Sequence, residues 1–374
     1  MTTLLPRDTG PDRTIPPAGG SQTGARDAGP AGAPGRHSPG RRRGPLLVAG
    51  AVSLLLASVV LAITFGPAEI GPVDVWRSVA SHLGLGATPL AELKDAIVWE
   101  LRLPRVLTAA AVGAGLTLAG AVMQSLTRNP LADPYLLGLS SGASLGAVAV
   151  LVLGVAVALP LAAFAGAAVA LVATLALAGS LGTLTPTRTV LAGLAVAQLC
   201  AAGTSFVIFW SSTGDSYREI LSWLMGSLGA TSWTTVAISG TALVVVGAAL
   251  ASAGGTLDAF AFGDTAASAL GVDVRRTRWL MLTGVALLTG ALVSVSGAIG
   301  FVGLVLPHAT RLLVGGRHRL LLPLSALIGA TFLIWADTAA RTLFAPRELP
   351  VGILTALIGA PVFAWILWHR KTAS

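Results

Sequence analysis

Ten apolar stretches of membrane-spanning length run through this sequence of 374 residues, separated by mostly short polar connections. A helix needs about 20 apolar residues to cross the roughly 30 Å hydrocarbon core of a bilayer. We therefore predict an all-α polytopic membrane protein, with spans near residues 46–65, 104–126, 135–155, 159–181, 189–211, 232–253, 279–296, 299–315, 321–342 and 351–369.

Composition excludes an ordinary soluble domain. Charged residues make up 11% of the chain and hydrophobic residues 54%, with a mean hydropathy of +0.80, whereas soluble domains carry about 25% charged residues. Only Ser296–Ala298 separates the seventh predicted span from the eighth, so these two could also form one kinked helix.

Lysine and arginine are more frequent on one side of the predicted spans, which indicates that both termini are cytosolic and that the protein is a multi-pass protein of the cytoplasmic membrane. The connections and C-terminus predicted to be cytosolic hold Arg128, Arg188, Arg275, Arg276, Arg278, Arg311, Arg317, Arg319, Arg370 and Lys371. The outer connections hold Arg77, Lys94, Arg102, Arg105, Arg218, Arg341 and Arg347, mixed with acids.

Residues 1–44 differ from the rest because they are rich in Gly, Pro, Arg and Ser and have almost nothing to bury. We expect a disordered basic cytosolic tail there, and a ten-span membrane domain over residues 45–374. The tail supplies much of the net charge of +8. Nucleic acid is not an expected partner, since the remaining arginines lie at predicted membrane ends.

The sequence echoes itself 177 positions later, which is typical of transporters built from inverted repeats. Five spans separate the two copies, so the copies would cross the membrane in opposite senses. The paired positions are Gly113 with Gly290, Gly120 with Gly297, Pro130 with Pro307, and Gly138 with Gly315.

A polar stretch, Asn129–Pro134, lies between two membrane-length apolar segments. Backbone groups left unpaired by proline cannot remain in hydrocarbon, so Asn129-Pro130 and Asp133-Pro134 must lie at a water-facing turn or in a cavity. Membrane segments that are interrupted in this way usually belong to proteins that move a solute, and the stretch therefore predicts a transporter.

Several kinds of chemistry are missing from the sequence. The only lysines, Lys94 and Lys371, lie in no phosphate-binding loop, so we do not expect the chain to be an ATPase of that type. The sequence also has no cluster of catalytic residues, so we do not expect the chain to be an enzyme. Asp337 is the one clear carboxylate inside a span, which disfavours an ion-coupled carrier, and an ion pair with Arg341 one turn later would explain it. Cys200, His308 and His318 form no local metal-ligand pattern, so no metal site is expected.

The cytosolic segment 256–277 carries apolar residues among acids and arginines, with a turn at Gly271. It could lie flat on lipid as an amphipathic helix. Its acids would be repelled by anionic headgroups, so a protein partner is the favoured interpretation.

Eight ordered motifs between Val98 and Arg370 resemble the FecCD type of ABC importer permease, which carries iron-siderophore complexes, haem or cobalamin. They are RLPR at 102–105, GAVMQ at 120–124, NPLADP at 129–134, LGLSSGA at 137–143, ALG at 269–271, GAIGFVGLVLPHATR at 297–311, ADTAAR at 336–341 and ELPVGILTALIGAPVF at 348–363. The resemblance implies a dimer of ten-span permease subunits, homomeric or heteromeric, with two cytosolic ATP-binding subunits and an extracytoplasmic substrate-binding protein. ATP would be used by the partner subunits, with no cofactor bound by this chain.

The resemblance also implies roles for particular residues. Arg102, Arg105 and Arg341 would meet acids of the binding protein, with interfacial anchoring as the alternative. Within 256–277, the coupling helices of such a permease, the residues expected to contact the ATPase are Phe260, Phe262, Asp264, Leu270 and Gly271. The gate or path would include Gln124, Asn129, Pro130, Ser140, Ser141, Thr185 and Thr187, although small residues and a proline turn also serve plain helix packing.

The function predicted from the sequence is inward transport of a ferric siderophore as the permease subunit of an ABC importer. Cobalamin or haem is the alternative cargo. An ion-coupled secondary transporter is the alternative of another class.

Overall fold

The computed structural model describes residues 43–154, 157–180, 185–211 and 214–371, and every regular element within these ranges is helical. The predicted tail lies outside the described residues, apart from its last two positions. In chain order the helices are α1 Arg43–Thr64, α2 Pro72–His82, α3 Glu92–Ala96, α4 Leu103–Thr127, α5 Leu139–Leu153, α6 Leu159–Ser180, α7 Pro186–Ser211, α8 Gly214–Leu224, α9 Trp233–Ala242, α10 Ala248–Ser252, α11 Gly254–Phe260, α12 Asp264–Ala269, α13 Val274–Ser296, α14 Val302–Val314, α15 His318–Thr342 and α16 Val351–Lys371.

Each of the ten predicted spans overlaps one of the apolar helices. Within the described ranges, seven helical segments are long and apolar enough to cross a membrane, and three shorter apolar helices, α5, α14 and the greater part of α16, complete the set. Two π-helical stretches, Ile97–Arg102 and Leu243–Gly247, join α3 to α4 and α9 to α10 without ending the helix. The predicted all-helical membrane fold is confirmed.

The division between the seventh and eighth spans is a true break. Gly297, directly after α13, has φ 66°, and Phe301, directly before α14, has φ 67°. Both angles lie in the left-handed region, which a continuous helix cannot contain. The alternative of one kinked helix is therefore wrong.

The long helix α4 forms the centre of the fold and is buried along almost its entire length. Small residues let its neighbours approach closely, as is common between helices in lipid. A Cβ added to Gly113 would lie 2.2 Å from the carbonyl oxygen of Gly329 in α15, and one added to Gly120 would lie 1.8 Å from that of Gly303 in α14. No side chain can replace these glycines without moving a helix.

Helices α4 and α15 run antiparallel and define two ends of the bundle. The start of α4 meets the end of α15 through Arg105 and Asp337, while the end of α4 meets the start of α15 through Ser125 and His318. A helix of 25 residues is about 37 Å long. We call the first end the arginine end, and the second, where α11 and α12 lie, the loop end.

The positions paired by the 177-residue echo do not all occupy matching places. Gly120 lies inside α4, whereas Gly297 lies in the break after α13. Pro130 lies in the turn after α4, whereas Pro307 lies inside α14. The inverted repeat at this spacing stays a prediction.

Candidate functional site

Two interruptions of the helical backbone meet inside the bundle. The first runs from Arg128, whose φ is 50°, to Gly138, whose φ is 78°, and the second is the break between α13 and α14. The hydroxyl of Tyr135 accepts from the backbone N–H of Ile299 and donates to its carbonyl, each at 3.1 Å. One side chain therefore satisfies both backbone groups of a residue that lies in no helix.

The two halves of the predicted Asn-Pro and Asp-Pro turn have different surroundings. Asn129 is exposed and its Oδ1 accepts from the N–H of Leu131 at 2.9 Å, as expected for a water-facing turn. Asp133 turns inward and accepts from the N–H of Tyr135 at 2.8 Å. Burial raises the pKa of Asp133 to about 6, and this hydrogen bond partly opposes the rise.

A cleft of about 330 Å³ opens beside this turn at the loop end. Two of the predicted path residues line it, Gln124 and Pro130. The Nε2 of Gln124 donates to the carbonyl of Leu304 at 2.9 Å, and its buried Oε1 has no partner among the described residues. The other polar residues that line the cleft are Ser125, Arg128, His308, Arg311 and His318.

The remaining predicted path residues lie apart from the cleft lining. Ser140 and Ser141 are half-buried in the first turn of α5. Thr185 precedes α7 and accepts from the N–H of Arg188 at 3.4 Å, while Thr187 is exposed. The structure therefore brings Gln124 and Pro130 together and leaves the two serines and two threonines on other elements.

The arginine end contains a nearly buried ion-pair network. Both oxygens of Asp337 accept from Arg105, at 2.9 Å for Nε to Oδ2 and 3.0 Å for Nη2 to Oδ1. Arg105 also pairs with Glu348 at 2.8 Å. Arg341 lies 3.9 Å from Asp337, so the main partner of this aspartate is Arg105 rather than the residue one turn along its own helix.

Two further arginines hold the end of α1. Arg102 donates to the carbonyls of Ile63 and Ala68, at 2.7 and 3.2 Å. Arg341 donates to the carbonyls of Ala62 and Phe65. The last carbonyls of a helix have no partner within it, so these two guanidinium groups act as its cap and offset its negative dipole end.

The geometry of the three arginines bears on their predicted docking role. Arg102 is 7% exposed, and the side chains of Arg105 and Arg341 are 12% and 8% exposed. Their hydrogen-bonding groups are largely committed within the chain. Docking through them and anchoring at the membrane interface both stay predictions, and the contacts found are all within the chain.

The predicted coupling segment folds as two short helices, α11 and α12, linked by a turn at Gly263, whose φ is 96°. Phe262 and Leu270 are 78% and 68% exposed, and Gly271, with φ 83°, ends α12 at the surface. These residues are available to a partner.

Phe260 does not fit the predicted surface role. It is 1% exposed in the core, and the guanidinium of Arg278 lies 5.7 Å from its ring centroid. Arg278 also donates to both oxygens of Asp264, at 2.9 and 3.0 Å, which fastens α12 to α13. The prediction that Phe260 contacts a partner is corrected: it packs internally, because it shares the buried face of α11 with Gly254 and Leu257.

Sequence reasoning missed a chain of polar contacts that joins four helices at the loop end. It links Asp258 of α11, His318 of α15, Ser125 of α4 and Arg311 of α14. Asp258 and His318 are 60 positions apart and Ser125 and His318 are 193 apart, so no local spacing indicates this contact. The only available signal was a histidine three residues before a predicted span.

Within the described ranges no three His, Cys, Asp or Glu side chains are grouped as metal ligands would be. The prediction that this chain holds no metal or cofactor of its own stays a prediction.

Comparison with known proteins agrees with this architecture. The cobalamin import system permease protein BtuC of Halobacterium salinarum is 46% identical over 283 residues, covering 75% of each chain. The hemin transport system permease protein HmuU of Yersinia pestis is 39% identical over 327 residues, covering 85% of this chain and 95% of that one. A solved structure described as an inward-facing metal-chelate type ABC transporter matches with a TM-score of 0.76 and 31% identity, over 87% of this chain and 99% of that chain.

The family comparison covers the same part of the chain as the helical bundle. The model of the FecCD transport family matches residues 54–369, from the middle of α1 into the last turns of α16. The resemblance seen in the motifs is thereby confirmed, and the chain belongs to the FecCD transport family of ABC transporter permeases.

Proposed function

We propose that this chain is the permease subunit of an importer that moves a large metal chelate inward, driven by ATP that partner subunits hydrolyse. The observation that carries the proposal is the family match over almost the whole described bundle. The absence of a phosphate-binding loop from the 374 residues supports an external source of energy. We further propose a second permease subunit, two ATP-binding subunits and an extracytoplasmic binding protein as its partners.

The orientation that we propose places the loop end and both termini in the cytosol. Exposed arginines support it, because the loop end carries Arg128, Arg275, Arg276, Arg317 and Arg319 on its surface. At the other end, Arg102, Arg105 and Arg341 are largely buried. The exposed cations of the outer connections are Lys94, Arg218 and Arg347, so more of the accessible positive charge lies at the loop end, where the positive-inside rule expects the cytosol.

The contact surface for the ATPase is proposed to be Phe262, Leu270 and Gly271, with Asp264 holding α12 in place through Arg278. Exposed aromatic and aliphatic side chains on a fixed support are typical anchors of protein interfaces. The gate is proposed to lie at the turn formed by Asn129 and Pro130, beside Gln124 and the cleft. A path along Ser140 and Ser141, and a further part of the cytosolic gate at Thr185 and Thr187, belong to the same proposal.

Cobalamin is the cargo that we propose to test first. The names of relatives support this choice, since the Halobacterium salinarum protein is named for cobalamin and the Yersinia pestis protein for hemin. The ferric siderophore expected from the sequence and haem are the competing cargoes. All three are bulky chelates that a permease can carry without binding the metal itself.

Uptake into proteoliposomes tests the function. The permease, its ATPase and its binding protein are reconstituted together, and labelled cobalamin, haem and ferric siderophore are offered separately, each with and without ATP. We expect ATP-dependent accumulation of cobalamin. Accumulation of haem or a siderophore instead would replace the cargo, whereas accumulation driven by an ion gradient without the ATPase would contradict the proposed class.

A further inference from the structure

The polar chain at the loop end begins on the short helix α11. Oδ1 of Asp258 accepts from the backbone N–H of His318 at 2.9 Å and from its Nδ1 at 2.7 Å. The carboxylate therefore caps the first turn of α15 and also fixes the imidazole ring. Two bonds to one oxygen set both the position of the helix start and the direction of its side chain.

The chain continues into the interior through the imidazole. The Nε2 of His318 forms a short hydrogen bond with the hydroxyl of Ser125, which also lies 2.8 Å from the carbonyl of Ala121. Arg311 donates to the same hydroxyl from α14 at 3.3 Å. The His318 side chain is 3% exposed and that of Asp258 is 38% exposed, so the chain runs from the surface of α11 into the junction of α4, α14 and α15.

Helix α11 is also held against α15 by its backbone. A Cβ added to Gly254 would lie 3.3 Å from the backbone nitrogen of Arg319. Leu257 and Phe260 are fully or almost fully buried beneath the same short helix. The exposed residues Phe262 and Leu270 follow α11 in the chain. A force that a partner applies to them therefore acts on α11, which is bound to the start of α15.

Ser125 occupies a sensitive place in α4. It lies three residues before Arg128, where the backbone leaves the helix and the turn at Asn129 begins. It also lies in the lining of the cleft, next to Gln124. A displacement of His318 therefore acts on the last turn of α4, immediately before the proposed gate.

We infer that Asp258 and His318 are positioning residues that transmit movement of α11 and α12 to the ends of α4, α14 and α15. This inference rests on the proposed ATP-driven function. The order Asp, His, Ser also occurs in hydrolases, but Ser125 is 6% exposed within a helix, where a substrate carbonyl has no approach to it. The geometry fits a mechanical linkage between helices.

The test measures cargo transported per ATP hydrolysed in the reconstituted complex. Asp258→Ala and His318→Phe are each expected to lower this ratio about tenfold, the effect of losing one hydrogen bond to a charged group. The double variant is expected to be no worse than either single variant, because both break the same linkage. ATP hydrolysis itself should continue.

The matched control is Asp74→Ala. Asp74 also caps a helix, accepting from the backbone N–H of Gly71 at the start of α2 at 3.1 Å, outside the segment 256–277. The cargo that this variant transports per ATP hydrolysed is expected to equal that of the wild type. Its thermal stability should fall as much as that of Asp258→Ala. This comparison separates the loss of a helix cap from the loss of the linkage.

Two results would overturn the inference, and they are distinguishable. If the wild type transports at the expense of ATP and Asp258→Ala and His318→Phe keep the wild-type ratio while losing only thermal stability, the polar chain is merely structural. If the wild-type complex shows no ATP-driven transport, the proposed function fails and the linkage fails with it.

Discussion

The two ends of the antiparallel pair α4 and α15 differ in how far their polar and charged side chains are buried. At the arginine end, Asp337 and Glu348 balance the charges of Arg105 and Arg341 in a mostly buried network. At the loop end, the polar chain starts from the partly exposed Asp258 and adjoins the exposed Phe262 and Leu270. The first arrangement fixes helix ends in place, whereas the second leaves a route by which a partner can act on them.

The difference has a physical reason. Buried charges are stable only when they are paired and hydrogen-bonded, and breaking such a network leaves an uncompensated charge. A network of this kind resists movement, which suits an anchor for α1. A linkage that must move is better built from neutral or half-exposed groups, which can exchange partners with water at lower cost.

The largest effect expected from this comparison is on Phe260. Phe260→Ala removes a fully buried ring and should lower the free energy of unfolding by about 3–5 kcal/mol. The matched variant Phe262→Ala removes an exposed ring and should leave stability almost unchanged. Thermal unfolding in detergent compares them, and equal losses in the two variants would contradict the internal placement of Phe260.

Asp337→Asn is expected to have the next largest effect. It leaves Arg105 and Arg341 without their shared carboxylate, which should cost about 3 kcal/mol of stability. Glu348→Gln serves as the control, since the Glu348 side chain is 53% exposed and its pair should contribute under about 1 kcal/mol. An Asp337→Asn protein as stable as the Glu348→Gln protein would show that the network is not an anchor.

Arg102→Leu should cost about 2 kcal/mol, because a carbonyl at the end of α1 and another in the loop after it lose a charged donor. The folded protein that remains should capture the binding protein normally. Arg347→Leu, at an exposed position near the same end, should change neither property. Normal stability with lost capture in Arg102→Leu would instead support the docking role predicted from the sequence.

The last expected effect depends on pH and is at Asp133, in the turn between α4 and α5. The pKa of Asp133, about 6, lies above its usual value of 3.8, so between these values the folded protein binds more protons than the unfolded chain. Its contribution to stability therefore falls as pH rises from about 4 to 6.

Asp133→Asn removes this dependence. The melting temperature of the variant, measured relative to the wild type, should therefore rise across the same interval of pH. Melting curves that shift in parallel at every pH would contradict the burial of this carboxylate.

The sequence was sufficient to predict the membrane fold, and it marked Ser296–Ala298 as the point where either two spans separate or one helix kinks. Apolar length and glycine or proline interruptions are local properties, so they could be read from single segments. Roles that depend on distant partners could not be predicted: Arg105 meets Asp337 across 232 positions. The linkage of Asp258 to Ser125 through His318 depends on tertiary contacts of the same kind.

The wrong prediction that Phe260 contacts a partner had a cause within a few neighbouring residues. Leu257 and Phe260 are three residues apart on one face of α11, and Phe262 follows in the turn after its end. The spacing of these residues separates the buried Phe260 from the exposed Phe262, but the prediction treated 256–277 as one amphipathic surface. Short helices bury a face against the bundle even when their loop is exposed.

The most direct test of the account is ATP-driven uptake by the reconstituted complex carrying Phe262→Ala and Leu270→Ala together. We predict that the variant chain folds with wild-type stability, binds the ATPase at least about tenfold more weakly and loses uptake. Undiminished uptake in this variant, or accumulation of cargo by the purified chain alone, would contradict the claim that this permease is powered by a partner at its loop end.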